Sequence, residues 1–261
     1  MAADDAAFLA QLPAWAFGFA LLIARAGSAC MLLPGIGEAE LPASIRAGFA
    51  VALAALLLPV VITLMPAAPD SGWRALGMVG AEIVTGLWLG WLTRLLLLAL
   101  PVAGQIAASM IGLANVLQPD PALGPQTTAL SRALSLAAPV AILAAGLHAL
   151  PLAALAGSYR LIPPGQLLPA ADTAEQVTAA VATAFALALQ LAAPFVLAGI
   201  VWHVASGLLA RLVPNLQVYF ASVPGQIIGG IFLLAALSAT MLTMWQEQVG
   251  AALAALPGLS R

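Results

Sequence analysis

The sequence predicts an all-α integral membrane protein, with about six long, proline-kinked apolar helices arranged in hairpins. Its composition supports this class, because 63% of the 261 residues are hydrophobic and only 7% are charged. A soluble globular domain has roughly 45–50% apolar and about 25% charged residues. Eight arginines, ten acidic residues and no lysine are too few to cover a soluble surface of this size. We therefore expect most of the surface to meet lipid or other apolar chains.

The distribution of apolar residues predicts the individual helices. A spanning helix needs about 20 mainly apolar residues. The apolar runs lie at about 14–34, 47–65, 75–100 with a continuation at 102–117, 130–157, 174–209 and 222–245. Prolines lie inside these runs or at their edges, at Pro59, Pro101, Pro139, Pro194 and Pro224. Proline kinks or breaks a helix, and the freed carbonyls need partners within the protein. These helices are therefore predicted to pack on neighbours.

The connections between the runs are polar or rich in proline and glycine. They lie at 35–48, 66–72, 159–172 and 212–225, and the last is expected to form the bend of a C-terminal hairpin. Asp172 and Glu175 have the spacing of an N-cap with its reciprocal partner, which predicts the start of the fifth helix. Because the start of the chain is acidic, we expect no cleaved signal peptide. Arginines are balanced between alternate loops, so membrane orientation stays open.

Three charged residues, Arg25, Glu82 and Arg94, lie within apolar runs. Unpaired charges are expensive there, so such residues indicate either an ion pathway or an ion pair between helices. With one carboxylate clearly inside a span, the ion pair is the favoured interpretation. Glu82, Gly86 and Gly90 lie four residues apart on one helix face, and small residues allow another helix to approach closely. This pattern predicts a packed interface around Glu82, within the protein or with a partner.

Several classes of function lack support in the sequence. His148, His203 and the single Cys30 lie in separate segments and show no metal-ligand spacing. A net charge of −2 gives no basic face for nucleic acid. We therefore expect no enzyme activity, catalytic residue, cofactor, metal or nucleic-acid partner. A pore subunit, a secondary transporter and a membrane enzyme remain, and the last two lack the internal repeat or residue cluster that they would need.

The segment NVLQPDPALGPQT, residues 115–127, interrupts the apolar chain near its middle. Pro119, Pro121 and Pro125 forbid a continuous helix. Irregular backbone at membrane depth is tolerated only where protein buries it or where it lines a wet cavity. The sequence therefore predicts a loop that does not face lipid. An ordinary exposed connector is the alternative.

Four motifs, in order, make the chain resemble the FliR-type protein of the flagellar export gate, whose injectisome counterpart is the SctT-type subunit. The first motif consists of Arg25, Pro34, Gly37, Pro42 and Arg46. The second contains Glu82, Gly86, Gly90, Gly104 and Gly112. The third is the proline-rich segment followed by Gly146, His148, Ser158, Pro163 and Gly165. The fourth contains Pro214, Leu216, Val218, Tyr219, Phe220, Pro224 and Ile227. This resemblance covers residues 14 to 245, but the family often has a basic residue near Gln226.

The resemblance implies a non-enzymatic, multi-pass subunit of a type III protein export gate. Its partners would be FliP-type, FliQ-type and FlhB-type subunits, together with membrane lipid and unfolded export substrates. It would lie in the bacterial inner membrane at the flagellar basal body, within a helical gate complex. Residues 1–171 would form a FliP-like region and residues 172–261 a FliQ-like hairpin. Injectisome service, or less favourably a stand-alone secondary transporter, is the alternative.

The resemblance also implies roles for individual residues. A loop of the family plugs the pore, and the matching positions are Gly112, Asn115, Pro119, Asp120, Pro121, Gly124 and Pro125. The remaining motif residues would serve helix packing or subunit assembly. They are Arg25, Pro34, Gly37, Pro42, Arg46, Glu82, Gly86, Gly90, Pro214, Phe220 and Pro224.

Overall fold

A computed structural model describes residues 2–113, 128–212 and 218–259, with side chains described from residue 12 and, in the last range, from residue 222. Within this part of the chain every regular element is helical. The helices are α1 (Ala2–Cys30), α2 (Ala43–Val61), α3 (Gly72–Leu97), α4 (Ala99–Met110), α5 (Ala129–Ala144), α6 (Ala149–Leu161), α7 (Ala170–Leu212) and α8 (Val218–Ala254). A 3₁₀ turn, Ile62–Leu64, follows α2. The predicted all-α fold class is therefore confirmed.

Five helical stretches of the described chain are long and apolar enough to cross a membrane. They are Leu12–Cys30, Ala43–Leu64, Gly72–Met110, Ala170–Leu212 and Ser222–Ala254. The pair α5 and α6 makes a sixth if the two are counted as one broken span. This agrees with the predicted number of apolar helices.

The run predicted at 130–157 is interrupted, so it forms two helices instead of one. Gly146 has φ of +72°, and the Leu147 N–H donates to the Ile142 carbonyl at 3.0 Å. This is the Schellman pattern, in which a glycine in the left-handed conformation ends a helix. The apolar pattern continues through the turn, so periodicity alone did not reveal the break.

The prolines are accommodated in two ways. Pro59, Pro139, Pro194 and Pro224 lie inside helices that continue past them. Pro101 instead lies in the first turn of α4, directly after the break at Leu98. Backbone N–H groups in a first turn have no intrahelical acceptor, so proline removes no helical hydrogen bond there.

The predicted N-cap at Asp172 is wrong by three residues. Helix α7 begins at Ala170, which places Asp172 in its first turn. The Thr173 N–H and Oγ1 both donate to the Pro169 carbonyl, at 3.0 and 2.6 Å. The preceding proline therefore marks the helix start, and the Asp172 carboxylate is near the positive end of the helix dipole.

The predicted bend at 212–225 is shorter than expected. Helix α8 already begins at Val218, so it includes Phe220 and Pro224. Pro214 lies outside the described residues. The helix therefore begins before the predicted apolar run at 222.

The chain is divided into two units, neither of which is one continuous segment. The first contains Met1–Leu95, Ile142–Ala180 and Ala251–Arg261, and the second contains Leu96–Ala141 and Val181–Gly250. A core of the first unit is built from Leu22, Ala54, Leu57, Val61 and Tyr159. In the second unit, α4 buries Leu100 and Ala103, while α7 buries Leu191 and Phe195. The proposed division at residue 171 stays a prediction.

Candidate functional sites

The first site is a buried ion pair between α1 and α3, in the first unit. The Arg25 Nε donates to Glu82 Oε2 at 2.7 Å, and Nη2 donates to Oε1 at 2.9 Å. Both side chains are fully buried. Burying a charge costs several kcal/mol unless it is paired and hydrogen-bonded. The two parallel hydrogen bonds supply that pairing in the geometry that suits a guanidinium and a carboxylate.

The rest of this network comes from the end of α6 and the turn that follows it. The Arg25 guanidinium also donates to Ser158 Oγ and to the Ile162 carbonyl, both at 3.1 Å. It lies 4.2 Å from the centroid of the Tyr159 ring. The Glu82 Oε1 accepts a second hydrogen bond, from the Gly165 N–H at 2.8 Å. The pair therefore joins α1 and α3 to the end of α6 and the following turn.

The glycines of α3 allow α1 to approach the ion pair closely. A Cβ atom on Gly86 would overlap Ser28 Oγ and the Arg25 carbonyl oxygen. A Cβ atom on Gly90 would lie 2.8 Å from the Leu32 Cβ. These contacts require glycine, because any side chain would push the two helices apart. The face that carries Glu82, Gly86 and Gly90 thus packs against α1.

A second, more exposed ion pair holds the turn after α1. The Arg94 Nη1 lies 2.7 Å from Glu38 Oε1, with 32% and 15% of the two side chains exposed. Gly37 lies in the same turn, where a Cβ atom would overlap the Met31 carbonyl oxygen. Its N–H donates to the Leu33 carbonyl at 2.7 Å. Glycine is therefore required at this position by backbone packing.

The other residues of the first motif lie around this connection. Pro34 is buried and Pro42 is exposed. Pro42 precedes α2, and its carbonyl accepts from the Arg46 N–H at 3.3 Å. The Arg46 Nη1 lies 4.0 Å from the Met31 Sδ, and its Nε is buried with no hydrogen-bond partner among the described residues.

The second site lies in the second unit, where α4 leads into the proline-rich segment. The chain turns at Gly112, which has φ of +79°, and the Leu113 N–H donates to the Ala108 carbonyl at 3.0 Å. This is a Schellman motif, which ends the helix. Some carbonyls of the last helical turn then have no N–H partner within the helix. The Gln226 Nε2 of α8 donates to one of them, the Met110 carbonyl, at 2.8 Å.

The residues that follow the proline-rich segment are hydrogen-bonded to α4 as well. The Thr128 N–H donates to Gln105 Oε1 at 3.0 Å. The Ser131 Oγ donates to the Pro101 carbonyl at 2.8 Å, and the Ser131 N–H donates to Thr128 Oγ1 at 3.2 Å. Both flanks of the segment are therefore fixed by side-chain hydrogen bonds within one unit.

Most of the predicted plug residues lie outside the described residues. They are Asn115, Pro119, Asp120, Pro121, Gly124 and Pro125. Gly112 is described, and it forms the turn at the end of α4. Among the described residues, no group of three His, Cys, Asp or Glu side chains is placed to hold a metal ion.

These features define a class of protein, an integral membrane protein whose helices are joined by buried polar networks. A profile described as "Bacterial export proteins, family 1" matches residues 16–252. The chain belongs to this family of bacterial export proteins, in its FliR branch.

Relatives from three bacteria carry the name "Flagellar biosynthetic protein FliR". The Caulobacter vibrioides protein is 33% identical over 229 residues, which cover 88% of this chain and 91% of that protein. The Bacillus subtilis protein is 26% identical, over 79% of this chain and 80% of its own. The Escherichia coli protein is 26% identical, over 78% of this chain and 77% of its own.

Sequence reasoning missed several partners in these sites. Glu38 was not predicted to pair with Arg94, and the Ile162 carbonyl carries no side-chain signal at all. Gly157 packs against the backbone at Gly258. A Cβ atom on Gly157 would overlap the Gly258 carbonyl oxygen. Two glycines a hundred residues apart give no detectable spacing pattern, so only the structure brings them together.

Proposed function

We propose that this protein is a non-enzymatic, multi-pass subunit of the flagellar-type, or type III, protein export gate. It would function in the bacterial inner membrane at the flagellar basal body, where unfolded export substrates pass through the gate. The observation that carries this proposal is the family match over residues 16–252, together with the flagellar names of the relatives. The apolar helices support a membrane location.

The exposed apolar surface supports assembly with other membrane subunits. On α8, Phe232 is 76% exposed and Ile228 is 69% exposed. Lipid or apolar partner chains must cover such side chains, because large exposed apolar patches mark interaction or membrane surfaces. The proposed partners are FliP-type, FliQ-type and FlhB-type subunits. In this proposal residues 1–171 are FliP-like and residues 172–261 form the FliQ-like hairpin.

The proposed role of the central segment is to plug the export pore. Its three prolines oppose helix formation, and its two flanks are anchored through Gln226 and Gln105. Such a segment can differ in shape from the surrounding helices while its ends stay fixed. Substrate would displace it during export, and Gly112 and Gly124 would act as hinges.

A deletion tests this plug. The gate assembled with a chain lacking residues 115–125 is expected to form in normal yield but to leak ions. Conductance across vesicles that contain the assembled gate measures the leak, and removal of residues 66–71 from another connection is the control. An assembled deletion gate that does not leak would contradict the plug.

Two further measurements separate the alternatives. Co-purification with FliP-type and FliQ-type subunits is expected for a gate component, whereas transport by the purified chain alone in liposomes would favour a secondary transporter. Neighbouring genes for the flagellar hook and basal body would support flagellar rather than injectisome service.

A further inference from the structure

The connector between α6 and α7, residues 162–169, is a non-helical segment of the first unit. It turns at Gly165, which has φ of +81°. The Gln166 N–H donates to the Pro163 carbonyl at 3.2 Å and closes this turn. One such hydrogen bond does not fix the whole connector, because ordering each residue costs conformational entropy. Contacts from outside the connector are therefore needed to hold its shape.

The buried ion pair supplies these contacts on both sides of the turn. The Arg25 Nη2 donates to the Ile162 carbonyl at 3.1 Å, and Glu82 Oε1 accepts from the Gly165 N–H at 2.8 Å. One charged group thus provides a donor and the other an acceptor for backbone groups that lack helical partners. Two apolar side chains in these positions would leave both backbone groups unpaired.

Chain stability alone does not explain why two charges are buried here. Replacing a buried ion pair by well-packed apolar side chains is often neutral or stabilising, whereas removing one partner is costly. The close approach of α1 and α3 is already provided by Gly86 and Gly90. The hydrogen bonds to the connector are what an apolar pair cannot supply, so they are the specific contribution of Arg25 and Glu82.

The connector presents both apolar side chains and unpaired N–H groups. Leu161, directly before it, is 55% exposed and Leu167 is 77% exposed. The N–H groups of Leu167 and Leu168 have no hydrogen-bond partner among the described residues. Water would satisfy the N–H groups without covering the leucines, and lipid chains would cover the leucines without pairing the N–H groups. A protein segment with apolar side chains and a free acceptor does both.

We propose that the Arg25–Glu82 pair positions the connector for contact with an apolar segment of a partner gate subunit. The two charged residues are positioning residues, since they act through the backbone of Ile162 and Gly165. The partner segment covers the exposed leucines and accepts hydrogen bonds from the N–H groups beside them. This inference rests on the proposed function, in which the chain assembles with other gate subunits.

Two double variants test the positioning role, because both remove the two charges and they differ in one acceptor. Arg25→Met with Glu82→Met offers no acceptor to the Gly165 N–H. Arg25→Met with Glu82→Gln retains that acceptor, and the introduced amide can donate to the Ile162 carbonyl. Methionine and glutamine are similar in size, so the packing changes little between the two variants.

The same helix offers a matched control. Thr85→Val with Thr93→Val replaces two buried polar side chains of α3 whose hydrogen bonds stay within that helix. All variants are measured as isolated chains, by unfolding in detergent and amide hydrogen exchange, and by co-purification with FliP-type and FliQ-type subunits.

The Met–Met variant is expected to unfold cooperatively, as the threonine control does. Its Gly165 amide should exchange about tenfold faster than in the wild type, the shift for one lost hydrogen bond. Its co-purification should fall about fivefold, a typical loss for one interface contact. The Met–Gln variant and the threonine control should keep the wild-type yield.

The contact itself is tested with neighbouring residues of the connector. Leu167→Ser should lower co-purification about fivefold without changing the unfolding of the isolated chain. Gln166→Ser, a change at the adjacent exposed residue, should leave the yield unchanged. In the wild-type gate, the Leu167 and Leu168 amides should exchange more slowly than in the isolated chain, because the partner accepts their hydrogen bonds.

The outcomes distinguish this inference from the proposed function. If the wild-type chain does not co-purify with gate subunits, the proposed function fails. If it does, but the Met–Met variant folds and co-purifies as well as the wild type, the positioning role is overturned. If that variant does not fold, wild-type exchange decides: a Gly165 amide as fast as that of Leu167 in the isolated chain overturns the positioning role. Normal co-purification of Leu167→Ser overturns the contact.

Discussion

The stretch formed by α3 and α4 and the helix α8 are similarly hydrophobic but have different surroundings. In the most apolar window of Gly72–Met110, 61% of the residues are buried inside the chain, compared with 11% in Ser222–Ala254. The first stretch finds its contacts within the protein, including the partners of Glu82 and the close packing at Gly86. The second presents most of its apolar side chains outward.

This difference separates residues that stabilise the folded chain from residues that contact lipid or partner subunits. Changes on the buried face of α3 should destabilise the isolated protein. Changes on the exposed face of α8 should leave it folded and should act on assembly or on lipid contact.

The largest effect is expected for Glu82→Ala. It leaves the Arg25 charge buried without its partner, which typically costs about 3–5 kcal/mol. We expect a low yield of folded chain and of assembled gate, while any gate that forms conducts as the wild type does. Co-purification measures the yield and vesicle conductance measures the gating. Normal complex yield would count against this interpretation of the network.

A pair of phenylalanines compares buried and exposed positions in the second unit. Phe195 is fully buried in α7, so Phe195→Ala should lower the free energy of unfolding by about 3–5 kcal/mol. Phe232→Ala should change the unfolding of the isolated chain little, but should reduce co-purification with partner subunits. Unfolding in detergent and pull-down yield measure the two effects. An equal loss of chain stability in both variants would show that the buried and the exposed phenylalanine do not differ in their role.

Two glycines of α3 sharpen the comparison within one helix. Gly86→Ala places a methyl group against Ser28 and should destabilise the chain by about 1–3 kcal/mol, a typical cost of overpacking. A Cβ atom on Gly80 would have no neighbour within 4 Å, so Gly80→Ala should change stability by at most about 1 kcal/mol, in the stabilising direction. Thermal unfolding of both variants in the same detergent gives the difference. Equal shifts in the unfolding temperature would show that the close packing of α1 and α3 does not determine the stability of the chain.

The smallest effect is expected for the partly exposed ion pair. Glu38→Gln removes the charge opposite Arg94 and should cost about 0–1 kcal/mol, because solvent screens exposed pairs. The change in unfolding should shrink further at high salt. A loss of unfolding free energy as large as that of Glu82→Ala would show that the exposure of an ion pair does not determine its contribution to stability.

Much of the architecture could be predicted from the sequence because it depends on local composition. The apolar runs located the helices, but α1 begins at Ala2, well before the run at 14, and α8 extends to Ala254, well beyond the run that ends at 245. The spacing of Glu82, Gly86 and Gly90 placed them on one helix face. The helix break at Gly146 was not predicted, and the start of α7 was predicted three residues too late. Both depend on backbone hydrogen bonds, to Ile142 and Pro169, and not on hydrophobic pattern.

The sequence by itself determined the membrane class, the all-α fold and the charged residues that needed partners, because the cost of burying charge and backbone polar groups in an apolar medium depends on residue type. Only the tertiary structure decided which partners they have. Arg25 meets Ser158 and Ile162, more than a hundred positions away, and Gln226 meets a backbone carbonyl that has no sequence signature. Such contacts arise when helices distant in sequence pack together, and their geometry is set by that packing.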